Sequence, residues 1–208
     1  MQAVGQSIWP GLPPPIGSAY QGGFFAGQIG VSGVATHNLV IGPVASAQSQ
    51  LAWKNANTAT TGADSVIDGP QNTADMVADG NSTVYPCAHF CNDLTIGGFS
   101  DWYMPAQNEL EVCYYNLKPT TTSNSTSHGI NANAVPARAS NYTTGIPAQT
   151  SSTDFQSTGA EDFAADDYWT STEYSAPYGW YQSFSNGGQN ANNKFFSFRV
   201  RAIRRVAV

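Results

Sequence analysis

The sequence predicts an α+β domain: an irregular antiparallel sheet with two or three short helices and long loops. Three observations carry that prediction. The last 41 residues, Tyr168 to Val208, hold two aromatic and β-branched runs separated by a polar stretch. The middle of the chain holds three short helical patterns, each bounded by Pro or Gly. The composition, with 20 Gly, 12 Pro and only 11% charged residues in 208, supplies loops whose polarity is neutral rather than ionic.

In chain order, residues 1–18 form a Pro-rich arm in which Ile8, Trp9 and Ile16 stand among Pro10 and Pro13-Pro14-Pro15. Consecutive prolines fix φ and favour an extended polyproline path. The arm has no core of its own, so its support is expected from a neighbouring subunit. A single domain is assigned to residues 19–208. Tyr20 to Ile29 and Asn38 to Val44 read as two strands with His37 at their turn. Asn72 to Asp79, between Pro70 and Gly80, reads as a helix with Ala74, Met76, Val77 and Ala78 as its apolar set. A second helix starts at Pro86, a residue suited to a first helical position, and aligns Cys87, Phe90, Cys91 and Leu94. A third starts near Pro105, where Leu110, Cys113, Tyr114 and Leu117 follow i, i+3, i+4, i+7 spacing and Glu109 sits where a capping acid would. Residues 119–159 are then a run of Thr, Ser, Asn, Ala and Pro without periodicity, far longer than an ordinary loop. That segment is expected to lie over a partner chain or to be functional itself, and a short helix is expected over Ala160 to Ala165.

The C-terminal runs predict a hairpin, with strands at Tyr178 to Phe184 and Phe195 to Val200 and a turn at Ser185 to Asn193. Alternation puts Trp180, Gln182 and Phe184 on one face and Tyr181, Ser183 and Ser185 on the other. The first face is expected to build core and the second to be displayed. Five of the eight basic residues, Lys194, Arg199, Arg201, Arg204 and Arg205, crowd this end, with Glu161, Asp162, Asp166, Asp167 and Glu173 as expected carboxylate partners.

A net charge of -6 argues against binding duplex nucleic acid, which requires a basic field. No apolar run is long enough for a membrane-spanning helix, so no membrane insertion is expected. The first residues lack a basic and then apolar leader pattern, and three cysteines suggest no disulfide scaffold. Synthesis in a reducing cytoplasm is expected, which leaves the sequons at Asn81, Asn124 and Asn141 without meaning. Cys87, His89 and Cys91 do not converge as metal ligands, because helical geometry turns His89 away from both cysteines. Buried thiols are the expectation, and neither a metal nor another cofactor is. The adjacent pairs Glu161-Asp162 and Asp166-Asp167 do not establish the two-sided geometry of a glycosidase, and no nucleophile elbow, phosphate loop or zinc-protease pattern occurs. No enzymatic activity is expected.

Three stretches carry a family resemblance: Gly97-Gly98-Phe99-Ser100-Asp101-Trp102-Tyr103-Met104-Pro105 leading to Glu109-Leu110, Tyr168-Trp169-Thr170-Ser171-Thr172-Glu173-Tyr174, and Arg199-Val200-Arg201-Ala202-Ile203-Arg204. Together they resemble the C-type-lectin-like domains related to formylglycine-generating enzyme, found in phage tail-fibre and tropism-determinant proteins and in variable proteins of diversity-generating retroelements. Ile16 to Gly27 and Ala88 to Gly98 also resemble tail-fibre-associated sequences. The resemblance implies a face near the C-terminus that carries ligand contacts: Tyr174, Tyr178, Tyr181, Ser183, Asn186, Gln189, Asn190, Asn192, Asn193 and Phe195. The calcium-dependent tripeptides Glu-Pro-Asn and Gln-Pro-Asp of classical lectins are not in the sequence, so calcium-dependent sugar binding does not carry over.

The expected function is that of a phage virion protein, a receptor-binding or tail-fibre tip module that recognises a host-surface protein or glycan. The alternative is a structural decoration or adaptor protein of the virion without receptor binding. A homotrimer is expected, assembled through residues 1–18 and 119–159 and contacting other tail or fibre proteins. Trp102, Trp169, Trp180 and Phe184 are expected in the core, with Trp180→Ala costing about 3 to 5 kcal/mol.

Overall fold

A computed structural model describes residues 12–208; the first eleven residues of the expected arm lie outside the described residues. The strands are β1 (Ala19–Tyr20), β2 (Gly23–Val31), β3 (Val34–Ile41), β4 (Gln48–Ala52), β5 (Asp167–Ser175), β6 (Tyr178–Ser183), β7 (Gln189–Asn193), β8 (Ser197–Arg201) and β9 (Ile203–Ala207). The helices are α1 (Val44–Ala47), α2 (Gly69–Asp79), α3 (Pro86–Asn92) and α4 (Gln107–Leu117), with a 3-10 turn at Thr153–Phe155. Two sheets form, in the orders β1-β2-β3-β9 and β4-β8-β5-β6-β7. They join at Ala202, the single residue between β8 and β9, whose N–H donates to the Ala47 carbonyl at 2.8 Å while its own carbonyl accepts from Gly42 at 2.9 Å.

Helix α4 packs on β2, β5 and β6. Its stripe of Leu110, Cys113, Tyr114 and Leu117 is fully buried, meeting Ala26, Ile29, Leu39, Phe155, Phe163, Tyr168 and Phe184. Each large apolar side chain removed from water there contributes about 1.5 to 3 kcal/mol. Glu109 does cap this helix, accepting the Ala106 N–H at 2.8 Å, and it also receives Arg205 at 2.8 Å and the Tyr103 hydroxyl at 2.5 Å. A second core lies under α2 and α3, where Met76, Cys87 and Cys91 meet Trp53, Trp102, Trp169 and Val200. The thiols of Cys87 and Cys91 are buried as expected, and burial raises both pKa values. His89 uses its ring on the Gly80 carbonyl at 2.7 Å.

Several expectations are corrected. Polar residues hold α2: it buries Asn72 and Thr73 with Met76, because Asn72 bonds Ser65 and Ser171 and Thr73 bonds Met104, while Ala74 and Ala78 face solvent. His37 is not at a turn; it lies within β3, between Ile29 and Ala207, and the turn falls at Ser32-Gly33. No helix forms over Ala160 to Ala165, where Glu161 and Phe163 instead close over Arg201.

Residues 119–159 do not need a second chain for their order. They coat α4 through buried polar anchors. Asn124 donates to the carbonyls of Thr143 (3.1 Å) and Pro147 (2.9 Å) and accepts from the Tyr114 hydroxyl (2.6 Å). Lys118 donates to the carbonyls of Thr122 and Pro147. Glu111, 1% exposed, receives Asn131, Tyr142 and Arg138 together. Burial pushes the Glu111 pKa up, and Arg138 opposes that shift. The segment reads as aperiodic because its stability comes from scattered side-chain to backbone bonds, which leave no hydrophobic period.

Candidate functional site: the C-terminal hairpin

The hairpin at this end differs from the expected one. Strand β6 pairs antiparallel with β7, so the asparagine-rich run is itself a strand and the turn spans residues 184–188. The second aromatic run forms β8, which pairs with β4 and, at Tyr168↔Arg199, with β5. Asparagine disfavours strands, yet β7 is an edge with one neighbour, where packing demands are weak. Its side chains replace the missing neighbour. Asn190 Oδ1 accepts the Ala191 N–H and Asn192 Oδ1 accepts the Asn193 N–H, both at 2.8 Å, and Asn193 Oδ1 accepts the Phe195 N–H at 3.0 Å. Gly187, at φ +76, closes the turn against Tyr114; a Cβ there would stand 2.3 Å from that ring.

Behind the hairpin is a buried ionic anchor. The Lys194 ammonium, 0% exposed, donates to the Thr58 carbonyl at 3.0 Å and to the Glu173 carboxylate, and lies 4.5 Å from the Trp53 ring centroid. Glu173 also receives the Thr60 N–H at 3.0 Å. Burial lowers the Lys194 pKa, and Glu173 opposes that. This places the loop at 54–60 under β5 and β6, and Gly179 lets Trp53 rise against the sheet. The expected partners Glu173, Asp166 and Glu161 do pair, with Lys194, Arg199 and Arg201 respectively. Arg204 takes Asp101 instead, and Arg205 takes Glu109 and Asp68; neither Asp162 nor Asp167 forms an ion pair with these bases.

The displayed side chains divide between two faces. On the first, Tyr174, Tyr178 and Trp180 line a groove of about 190 Å³ together with Asn190 and Ala191. Tyr174 and Trp180 meet edge to face, with centroids 5.1 Å apart at 86°. Further along this face, Gln182 and Gln189 pair across the strands. Gln182 is 0% exposed, and both its amide atoms and Gln189 Nε2 have no protein partner. On the opposite face Tyr181 packs on Phe198 at 5.1 Å, Phe198 on Trp169 at 4.6 Å, and Phe196 continues the row at 6.0 Å.

Of the ten expected residues, the structure brings Tyr174, Tyr178 and Asn190 into the groove. Tyr181, half-buried, belongs to the opposite face, paired with Asn190 across the strands. Asn192 and Asn193 serve the β7 edge, and Phe195, 50% exposed, follows it. Ser183 sits opposite Asp167, and Asn186 accepts the Gly188 N–H within the turn at 3.0 Å. Trp102, Trp169 and Phe184 are core residues, at 2% exposure or less. Trp180 is the exception: it is half-buried and lines the groove, so its truncation should cost roughly half of the about 3 to 5 kcal/mol expected for full burial. The face containing Phe184 runs from core to solvent along β6, because α4 covers only its inner end. Tyr178 and Trp180 share strand parity, which is the signal that joins them. Phe196 was also missed; in the Phe195-Phe196 pair, only its neighbour was assigned to display.

The family profile described as the Lcl C-terminal domain matches residues 42–204, most of the chain. The chain belongs to the Lcl C-terminal domain family. Its fold is α+β and C-type-lectin-like, as the sequence resemblance implied. Among solved structures, a fimbrial protein from Bacteroides ovatus ATCC 8483 is similar at 13% identity with a TM-score of 0.47, covering 80% of this chain and 35% of that one. This Lcl C-terminal domain thus spans about a third of that protein's length. Comparison with curated protein sequences gives no match. Among the described residues no helix is long and apolar enough to cross a membrane.

Proposed function

We propose that this Lcl C-terminal domain is the receptor-binding, tail-fibre-tip module of a phage virion, made in the host cytoplasm and recognising a host-surface protein or glycan through the β6–β7 hairpin. The observation that carries the reading is the groove of Tyr174, Tyr178 and Trp180, aromatic surface left open on a hairpin that Lys194 and Glu173 anchor from behind. Rigid, amphipathic aromatics beside Asn and Ser give contact area at low entropic cost, as in paratopes. The role is binding without catalysis. A homotrimer, assembled through residues 1–18 and 119–159, belongs to the proposal because repeated weak contacts gain from multivalency.

Adsorption of the fluorescently labelled chain to a panel of bacterial strains tests the proposal, with light scattering reporting the number of copies. A strain-selective signal lost in Tyr174→Ala/Tyr178→Ala at unchanged melting temperature is the expected result. A folded double variant that adsorbs as well as the parent places recognition elsewhere, and a parent that adsorbs to no strain favours the decoration or adaptor role.

A further inference from the structure

We propose that the cavity between β2, β3, β9 and the start of α2 binds a free amino acid with a short aliphatic side chain, its ammonium and its carboxylate received by separate groups. The inference is independent of the receptor-site reading, since no residue of the β6–β7 hairpin lines this cavity. The inner face of the first sheet carries Ile29, His37, Leu39 and Arg205, because Ile29 pairs with His37 and Leu39 with Arg205. Leu39 is fully buried in the core, and beyond it the face opens into a cavity of about 190 Å³. Ile29, Val31 and Ile67 give that cavity an aliphatic wall, and His37, Asp68 and Arg205 bring polar groups to it. Sites for drug-sized molecules run from about 300 to 1,000 Å³, so this one suits a smaller ligand.

The polar groups leave one donor and two acceptors open. Arg205 is held in place by its Nε, which donates to Glu109 at 2.8 Å, and by its Nη2, which donates to the Ile67 carbonyl. Its Nη1 therefore stands 3.6 Å from Asp68, too far for a hydrogen bond. Asp68 is fixed from its own side as the N-cap of α2, with Oδ1 accepting the Gln71 N–H at 3.4 Å. Opposite charges thus sit side by side and loosely paired. His37 adds the second acceptor. The Thr36 hydroxyl donates its hydrogen to the Ile29 carbonyl at 3.2 Å, so its oxygen accepts from His37 Nδ1–H at 3.0 Å. That tautomer leaves Nε2 as a lone pair, which has no partner among the described residues. Burial and then Arg205 lower the pKa of the ring, against the opposing effect of Asp68, so the imidazole is neutral at pH 7. A ligand ammonium is received by Asp68 and by Nε2, a ligand carboxylate by Nη1, and an aliphatic side chain by the wall. An anion alone would face Asp68 and a cation alone would face Arg205. A ligand with both charges on one carbon complements the pair.

The test titrates the full chain with L-valine and with L-leucine, read by calorimetry and by the His37 ring resonances in NMR. At least one of the two is expected to bind with a dissociation constant on the order of 1 mM, given its fewer than about ten heavy atoms, and to shift the His37 signals. 4-Methylpentanoate and 3-methylbutylamine are leucine without its ammonium and without its carboxylate, and each should bind at least about tenfold more weakly than leucine. Asp68→Asn keeps a competent helix cap and should weaken binding at least about tenfold. Asp93→Asn, outside the cavity, should leave binding unchanged. Should Asp68→Asn lower the melting temperature, Val31→Ser, on the exposed part of the wall, should still weaken binding in a chain as stable as the parent. Binding of neither amino acid overturns the assignment. So does a single-charge analogue that matches leucine, a folded Asp68→Asn chain that binds as tightly as the parent, or a loss in Asp93→Asn equal to that in Asp68→Asn.

Discussion

Residues 119–159 and the asparagine-rich run of β7 look alike in sequence, neutral and aperiodic, yet they satisfy their backbones in opposite directions. The long segment turns its polar side chains inward. Asn124, Asn131 and Thr150 are nearly inaccessible, and the hydrogen bonds of the first two tie distant carbonyls and the Glu111 carboxylate together beneath the surface. Strand β7 keeps its asparagines at the rim, where each serves its own or the adjoining backbone. Composition therefore does not say whether a polar stretch is anchor or display. The location of its hydrogen-bond partners does, and the two arrangements respond differently to substitution.

The largest effect should come from Glu111→Ala. It strands Arg138, Tyr142 and Asn131 at once, and removing one partner of a buried ionic group costs about 3 to 5 kcal/mol. Chemical denaturation should show that loss, and hydrogen exchange should show residues 119–159 losing protection before the sheets. If the segment keeps its protection, the anchoring assigned to Glu111 is wrong.

A triple substitution, Asn190→Val, Asn192→Val and Asn193→Val, should behave in the contrary way. Valine favours strands, so stability should stay within about 1 kcal/mol. The edge N–H groups lose their internal acceptors, however, and the chain should self-associate in light scattering, as exposed apolar edges do. A variant that stays as dispersed as the parent would break the contrast by showing that the asparagines do not shield the edge.

The smallest effect lies at a rim carboxylate outside both regions. Asp101, about half exposed, pairs with Arg204, whose hydrogen bond is the main cause holding its pKa below the ordinary value. A carboxylate depressed in the fold stabilises above its unfolded pKa of about 4 and loses that contribution as pH falls through the lower folded value. Asp101→Asn should therefore flatten part of the acid limb below about pH 4, by under about 1 kcal/mol given solvent screening. Melting curves of parent and variant that remain parallel throughout that limb would remove the pair from the acid response.

Local chemistry made much of the fold legible. Pro86 at a helix start, Gly80 past a helix end and the apolar stripe of α4 each act within one turn of chain, and each lies where the sequence places it. Of the six ion pairs made by the C-terminal basic residues, the three with Glu173, Asp166 and Glu161 were legible from the charge pattern of that end of the chain. Nonlocal pairing was not. The assignment of β8 to β4, across nearly 150 residues, depends on the register of the whole sheet, as does the edge position that permits a strand of asparagines. Trp180 was misassigned because alternation says which residues share a face but not how far a covering helix reaches along it. The groove was partly legible, through Tyr174, Tyr178 and Asn190; its central ring was not.

The asparagine caps on β7 also set how this surface can diverge. Tyr174, Tyr178 and Phe195 are exposed, and their side chains form none of the hydrogen bonds that hold the hairpin, so the chain can exchange them across nearly the whole amino-acid alphabet at little structural cost. Positions 190, 192 and 193 have a narrower alphabet, because each must return a side-chain acceptor to a backbone N–H close by. Asp, Ser and Thr meet that condition; Lys, Leu and Gly do not. On the proposed receptor-site reading, variation can therefore run fast at the aromatic positions while the edge residues drift only among short acceptors, so a change of ligand need not bring a change of assembly state.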